Sequence, residues 1–438
     1  MISSSLAGHI LELFYIFNTS KSPTNQITKE YFKSRRYLGS HDRRAIANTV
    51  FGLIRHRRFL ETLFDEYLKQ NPKIEIPKER FNYNLPLLVA YCEIIDKCIK
   101  IPLSLWKTHL PEIEIISYIN WIKDNSSLDF LSKDHLLQTG VKYSFPDWIV
   151  DIFQKQIGNE IEMLLDSLNT QAPTTLRVNI LITTREECQA RLRSEGIETT
   201  YSKISPVGLI ANKRFNSQAL NSYKDGWFEI QDEGSQLISL MSQPQEGSIV
   251  IDACAGAGGK SLHLAELMNN RGEIIALDID ARRLEELSKR AKRGHIDIIK
   301  PQIYKPGNNE ILRERADLVL VDAPCSGSGT IRRNPRLKWN LKPILIKSYS
   351  ERQIKILEES KHFVKNDGFL IYATCSLFNI ENEIVVKTFL GKNQNYQLCS
   401  IKERLTQYNL TSLDPWLTLY PHRYHTDGFF IAVMKKIH

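Results

Sequence analysis

The chain has 438 residues, a formal net charge of +8, and 42% hydrophobic, 25% charged and 9% aromatic residues. A single core stops growing near roughly 250–300 residues, so two or three domains are expected, and the apolar content excludes a disordered chain. Clustered Lys and Arg permit a polyanionic partner, while seven scattered cysteines (92, 98, 188, 254, 325, 375 and 399) without a C-x-x-C pair suggest neither a disulfide framework nor a metal site.

Residues 1–142 carry apolar side chains at helical spacing, as in Ala45, Val50, Leu53 and Ile54, then Leu60, Leu63, Tyr67 and Leu68, which predicts an all-helical domain. The opening stretch to Phe17 has no basic leader region or small-residue cleavage pattern, and no uncharged apolar run reaches the roughly 18 residues of a membrane span. A cytoplasmic protein without membrane attachment is expected. The densest basic cluster is Lys33, Arg35, Arg36, Arg43, Arg44 and Arg55 to Arg58, interleaved with Tyr31, Phe32, Tyr37 and Phe51. It reads either as a solvated helix face or as a docking face for nucleic acid.

Residues 143–242 begin with helical patterning at Trp148, Ile149, Ile152 and Phe153 and pass into strand-like runs at 175–180 and 208–210, a small α+β domain. In Ile230-Gln231-Asp232-Glu233-Gly234-Ser235-Gln236 a strand ends and a helix starts, with Asp232 placed to cap the first amides. From residue 243 to 438 strands at 249–253, 273–277, 318–322 and 369–373 alternate with helices starting at Lys260 and Ala281 and one near 348–364. That alternation predicts an α/β domain with a Rossmann-like parallel sheet, whose ligands bind beyond the carboxyl ends of the strands.

The residues just after those strands carry the chemistry. The strand Ile249-Val250-Ile251-Asp252 runs into Ala253, Cys254, Ala255, Gly256, Ala257, Gly258, Gly259 and Lys260, small residues that let backbone amides approach a ligand at a helix N-terminus. The next strand ends in Asp278, roughly 20 residues on, where a carboxylate accepts both hydroxyls of a ribose. Together these point to a nucleoside cofactor, with hydride chemistry still open, and Asp280 sits better than Asp278 for capping the following helix. The strand at 318–322 ends in Asp322-Ala323-Pro324-Cys325, and the strand at 369–373 in Thr374-Cys375-Ser376. Two thiols thereby reach one cleft. Carbon-5 of cytosine is too poor a nucleophile to take a methyl group directly, but thiolate addition at carbon-6 makes it enamine-like, and a second group must then assist loss of the carbon-5 proton and release.

On D-A-C-A-G-A-G-G-K at 252–260, L-D-I-D at 277–280, D-A-P-C-S-G at 322–327, R-R-N-P-R-L-K-W at 332–339 and A-T-C-S-L at 373–377, the chain resembles the Sun/Nop family of RNA (cytosine-5)-methyltransferases, in its bacterial ribosomal-RNA branch. The resemblance covers about 140–438, including Leu176-Arg177-Val178-Asn179, Gln231 to Gln236, and Tyr420-Pro421-His422 with Thr426 to Phe430, which look like a closing hairpin. Asp42-Arg43-Arg44 and Phe51-Gly52 resemble the family's NusB-like RNA-binding domain. The implied architecture is a NusB-like all-α domain (1–142), a small α+β domain (143–242) and a class I methyltransferase domain (243–438).

What the resemblance implies is a monomeric enzyme that uses S-adenosyl-L-methionine to methylate carbon-5 of a cytosine in RNA, with small-subunit ribosomal RNA as the substrate. Cys375 is the implied nucleophile and Cys325 the thiol that aids product release. Asp322 lies against the cytosine's polar edge and the methyl-bearing region, Lys260 orders the site, and Cys254 through Lys260, with Asp278, hold the cofactor. Arg332, Arg333, Arg336 and Lys338, beside Trp339, are expected to clamp phosphates while the base is flipped out. The turn reads A-G-A-G-G-K where many members have A-A-P-G-G-K, and the third strand, 298–304, lacks the aspartate that usually meets the adenine amino group, leaving Gln302 as a substitute. Other readings are a catalytically silent RNA-binding or assembly factor and the same reaction on tRNA. DNA cytosine methylation is disfavoured because those enzymes attack with the cysteine of the P-C position and lack the second one.

Overall fold

The computed structural model describes residues 4–74, 76, 81–97, 101–111, 113–305, 307, 310–408, 410–412 and 414–437; Cys98 lies outside them. The chain forms two compact units, Met1–Thr170 with Arg333–Asn340, and Gln171–Arg332 with Leu341–His438. No helix among the described residues is long and apolar enough to cross a membrane.

The first unit is helical, as its periodicity predicts. Val50, Leu53 and Ile54 of helix Ser40–Arg55, and Leu60, Leu63 and Tyr67 of helix Arg57–Gln70, are buried with Phe14, Phe17, Trp106 and Tyr118 in one core. Helicity continues past the expected boundary at 142/143 through Asp147–Ile157 and Ile161–Asn169. Hydrogen bonds hold this extension in the unit: the Ser144 hydroxyl accepts from the Arg58 amide at 2.7 Å, and the Asn169 side chain donates to the Tyr143 carbonyl at 2.7 Å. The basic cluster divides. Arg35 stacks on Tyr31 and pairs with Glu12, Arg57 pairs with Glu61, Arg58 with Asp147, and Arg55 is buried, whereas Lys33, Arg36 and Arg44 face solvent.

The second unit holds two sheets. The smaller is antiparallel, order β2-β3-β1-β4, built from β1 (Thr174–Val178), β2 (Thr199–Tyr201), β3 (Gly208–Ala211) and β4 (Phe228–Ile230). Asp232 accepts from the Gly234 amide at 2.8 Å and caps helix Glu233–Ser242, as expected. The larger sheet contains β5 (Ile249–Asp252), β6 (Glu273–Asp278), β7 (Ile299–Ile303), β8 (Ala316–Asp322), β9 (Val364–Thr374), β10 (Tyr396–Cys399), β11 (Leu417–Leu419) and β12 (Phe429–Lys436). Its order is β10-β12-β9-β8-β5-β6-β7, with β11 paired to β12. β5 to β9 are parallel, and β12 runs antiparallel to β9.

Continuous apolar runs such as Ile274–Leu277, Val319–Val321 and Leu370–Ala373 are buried because helices cover both faces. Strand order reverses at β5, between β6 and β8, which opens the crevice at that edge. The helix expected near 348–364 instead spans Pro343–Ser360: Pro343 opens it, and Val364 already begins β9. Proline suits a helix's first turn because no partner exists there for the missing amide hydrogen.

Candidate active site

Asp252, Asp278, Asp322 and Thr374 end four strands, and in register Asp252 lies beside Ala276 and Leu320 while Asp322 lies beside Ala373. The four ends therefore share one edge of the sheet. The turn after β5 is tied down at every step: the Ala255 amide donates to Leu277 O at 2.9 Å, the Gly256 amide to Asp278 at 2.9 Å, and Arg290 to Ala257 O at 2.6 Å. Asp278 also accepts from the Asp280 amide at 2.8 Å, and Asp280 in turn caps helix Ala281–Arg293. A carboxylate has about four acceptor sites, so Asp278 keeps capacity for a ligand's hydroxyls. Gly256 (φ 56°) has open space where a side chain would stand, so the turn presents bare backbone to the crevice. Burial pushes the Cys254 thiol up, and it pushes Asp252 up to about 6 against the pull of the Ser261 hydroxyl at 2.7 Å. A nucleoside cofactor fits this cradle.

Beyond β8 and β9 the two predicted thiols meet, Cys325 Sγ lying 3.2 Å from Cys375 Sγ, each partly exposed. Cys325 is pushed well above the ordinary thiol range, first by its hydrogen bond with Cys375 and then by burial. Lys260 Nζ lies 2.5 Å from Asp322 Oδ2. Burial opposes the Lys260 charge, but Asp322 outweighs it and raises the ammonium's pKa. The site thus offers paired thiols beside a lysine–aspartate ion pair.

Sequence reading misses the residues that hold these groups. Arg177, on β1, is fully buried and donates to Glu266 (2.7 and 3.1 Å), to Gly259 O (2.7 Å) and to Gln231. It thereby pins the helix Gly259–Leu267 that carries Lys260; the sequence offers Arg177 only as part of a family signature. Glu381, likewise buried, accepts from residues next to both cysteines, and no spacing rule connects it to them. Among the described residues no group of three or more His, Cys, Asp or Glu side chains could hold a metal ion.

Two family models match this chain: a 16S rRNA methyltransferase RsmB/F model over residues 239–435, and an RsmF/B-like ferredoxin-like domain over 145–218. The probable ribosomal RNA small subunit methyltransferase B of Synechocystis is 30% identical, covering 91% of this chain and 92% of its own. The chain belongs to the RsmB/F family of rRNA methyltransferases. The Bacillus subtilis probable ribosomal RNA small subunit methyltransferase B is 28% identical, covering all of both chains. A crystal structure of a methyltransferase homologue from Pyrococcus horikoshii superposes with a TM-score of 0.60 at 26% identity, covering 70% of this chain and all of that one. The family's methyl donor is S-adenosyl-L-methionine.

One expectation for this RsmB/F member needs correction. Arg332, Arg336 and Lys338 are buried, not raised towards solvent to clamp phosphate. Arg332 donates to the His425 and Thr426 carbonyls, each at 2.9 Å. In the helical unit, Arg336 donates to Ser20 O and Ser22 O, and Lys338 to Arg55 O (2.7 Å), Ser144 O (2.8 Å) and Asn169 Oδ1 (2.9 Å). Helix and loop ends leave carbonyls without partners, and these long cations satisfy them. Arg333 alone of the four is half-exposed. Gln302 is exposed at the end of β7.

The turn after β5 carries an expectation about stability. Gly258 has φ 85°, and a side chain there would stand 2.5 Å from Leu287 Cγ. The left-handed backbone and the overlap together make Gly258→Ala costly by about 2–4 kcal/mol. Urea denaturation should show a lower midpoint, and calorimetry a weaker affinity for S-adenosyl-L-methionine; unchanged values for both would refute the strained turn.

Proposed function

We propose that this RsmB/F member methylates carbon-5 of a cytosine in small-subunit ribosomal RNA, with Cys375 as nucleophile and Cys325 as the thiol of release. The observation that carries the reading is the 3.2 Å pairing of the two thiols at the sheet edge, beside the Lys260–Asp322 ion pair. The substrate class is supported by the names of the relatives, small-subunit ribosomal RNA methyltransferases.

The cytosine leaves its base stack to reach the crevice. Cys375 adds as thiolate to carbon-6, which raises electron density at carbon-5. The turn Cys254–Lys260 and Asp278 would hold S-adenosyl-L-methionine, which would supply the electrophilic methyl group. The carbon-5 proton then passes to solvent water, its bonding pair re-forms the carbon-5–carbon-6 double bond, and the sulfur–carbon-6 bond breaks, returning its electron pair to Cys375. Cys325, in hydrogen-bond reach of that sulfur, takes part in this release. Asp322 faces the amino edge of the base, and Lys260 keeps its carboxylate oriented.

Bisulfite sequencing of 16S rRNA and tRNA from cells with and without the gene tests the reading. One 16S cytosine should lose protection in the deletion and regain it on complementation with the wild type. An unchanged pattern in both RNAs would sink the enzyme reading, and a change confined to tRNA would replace the substrate.

A further inference from the structure

Glu381 is fully buried in the short turn Asn379–Glu381, and its carboxylate lies between the loops that carry the two thiols. Oε1 accepts from the Ser326 amide at 2.9 Å, next to Cys325, and from Gln353 Nε2 at 3.0 Å, which also donates to Pro324 O at 3.0 Å. Oε2 accepts from the Ser376 hydroxyl at 2.6 Å, next to Cys375. Asn382, the following residue, donates to Ser376 O at 2.9 Å and accepts from Thr374 at 2.6 Å, and the Tyr372 hydroxyl closes the turn on Glu381 O at 2.5 Å. All three partners of the carboxylate are donors, the pattern that satisfies a charged form. Burying a charge is expensive unless such donors compensate it, so a neutral side chain would serve a purely structural brace more cheaply.

We propose that Glu381 is a positioning residue for the thiol pair: its carboxylate joins the Cys325 loop to the Cys375 loop and disfavours a thiolate at Cys325. The proposal rests on the two-thiol reading above. A fixed negative charge beside Ser326 opposes a second one at the neighbouring sulfur, in the same direction as burial and the Cys375 hydrogen bond. The titratable groups facing Cys325 are Cys375, Glu381 and Tyr372, with the Lys260–Asp322 pair beside Cys375. With Cys325 held as thiol, a proton is available next to Cys375, and competition between two thiolates for one carbon-6 is suppressed.

The test is the pH dependence of iodoacetamide alkylation at each cysteine of the folded protein, resolved by peptide mass spectrometry. Glu381→Gln keeps the shape and an acceptor for Ser326 and Gln353 but removes the charge. Initial alkylation of Cys325 at pH 8 should rise about tenfold, its profile moving down by about one unit. A folded Glu381→Gln protein with an unchanged Cys325 profile overturns the proposal. Should that variant not fold, Ser376→Ala removes the donor to Oε2, together with the acceptor of the Phe378 amide and the partner of the Ser326 and Ser328 hydroxyls. In a Cys325→Ala background it should slow formation of the covalent RNA adduct about tenfold at an unchanged half-saturating RNA concentration. An equal rate then overturns the proposal. Absence of any adduct in Cys325→Ala itself counts against the two-thiol reading instead, and the alkylation profiles still decide the role of Glu381.

Discussion

Cys375→Ala is expected to abolish methylation, and Cys325→Ala to leave the protein covalently trapped on its RNA. The two sulfurs are 3.2 Å apart, so both lie within reach of one pyrimidine ring, and their roles separate only by what each substitution leaves behind. Without Cys375 there is no adduct at carbon-6 and carbon-5 stays unreactive, a loss of about a thousandfold or more, roughly 4 kcal/mol of barrier. Without Cys325 the attack proceeds but release fails, and a protein–RNA band should survive denaturing electrophoresis. Methyl transfer from labelled donor and adduct formation should be followed together. An adduct that persists in Cys375→Ala and vanishes in Cys325→Ala would reverse the assignment.

The largest effect on stability is expected at Arg177. Arg177→Leu leaves Glu266, 2% exposed, without its ion-pair partner, and it also strips a donor from Gly259 O at the start of the helix bearing Lys260. Breaking one side of a buried ion pair costs about 3–5 kcal/mol, whereas replacing both partners by apolar groups is often neutral. The melting temperature of Arg177→Leu should therefore fall by roughly 10 °C, and Arg177→Leu/Glu266→Leu should recover much of the loss. Burial already pushes the Glu266 carboxyl up, and Arg177 is the foremost of the groups that pull it back, ahead of Arg290. In the single variant the folded state favours the protonated acid still more, so its destabilisation should be mild at acid pH and grow as pH rises through neutrality. Equal melting temperatures for wild type and the single variant, or a loss that shrinks with rising pH, would refute this account.

Much of the candidate site is legible in the chain because its signals are local. Each of Asp252, Asp278, Asp322 and Cys375 follows an apolar strand run, and a parallel sheet places every such strand end at one edge. The turn at 254–260 was legible for the same reason, since smallness and left-handed glycines are properties of a few consecutive residues. Asp232 and Asp280 as helix caps follow from rules spanning two or three positions.

The basic run 332–338 shows where local reading ends. Its composition describes an exposed phosphate clamp, yet Lys338 bonds the Arg55 carbonyl 283 positions earlier and Arg336 bonds Ser22 O 314 positions earlier. Whether a cation faces water or fills an unsatisfied carbonyl depends on which distant backbone it meets, and neighbouring residues carry no trace of that choice. Glu381 and Arg177 escaped for the same reason: their partners are loops and strands brought beside them only by folding. Residue types and strand ends were thus enough to place two thiols and a small-residue turn at one sheet edge. The contact between the thiols, the buried carboxylate that joins their loops, and the turning inward of the supposed RNA clamp arise from long-range packing, because hydrogen-bond satisfaction is settled in three dimensions.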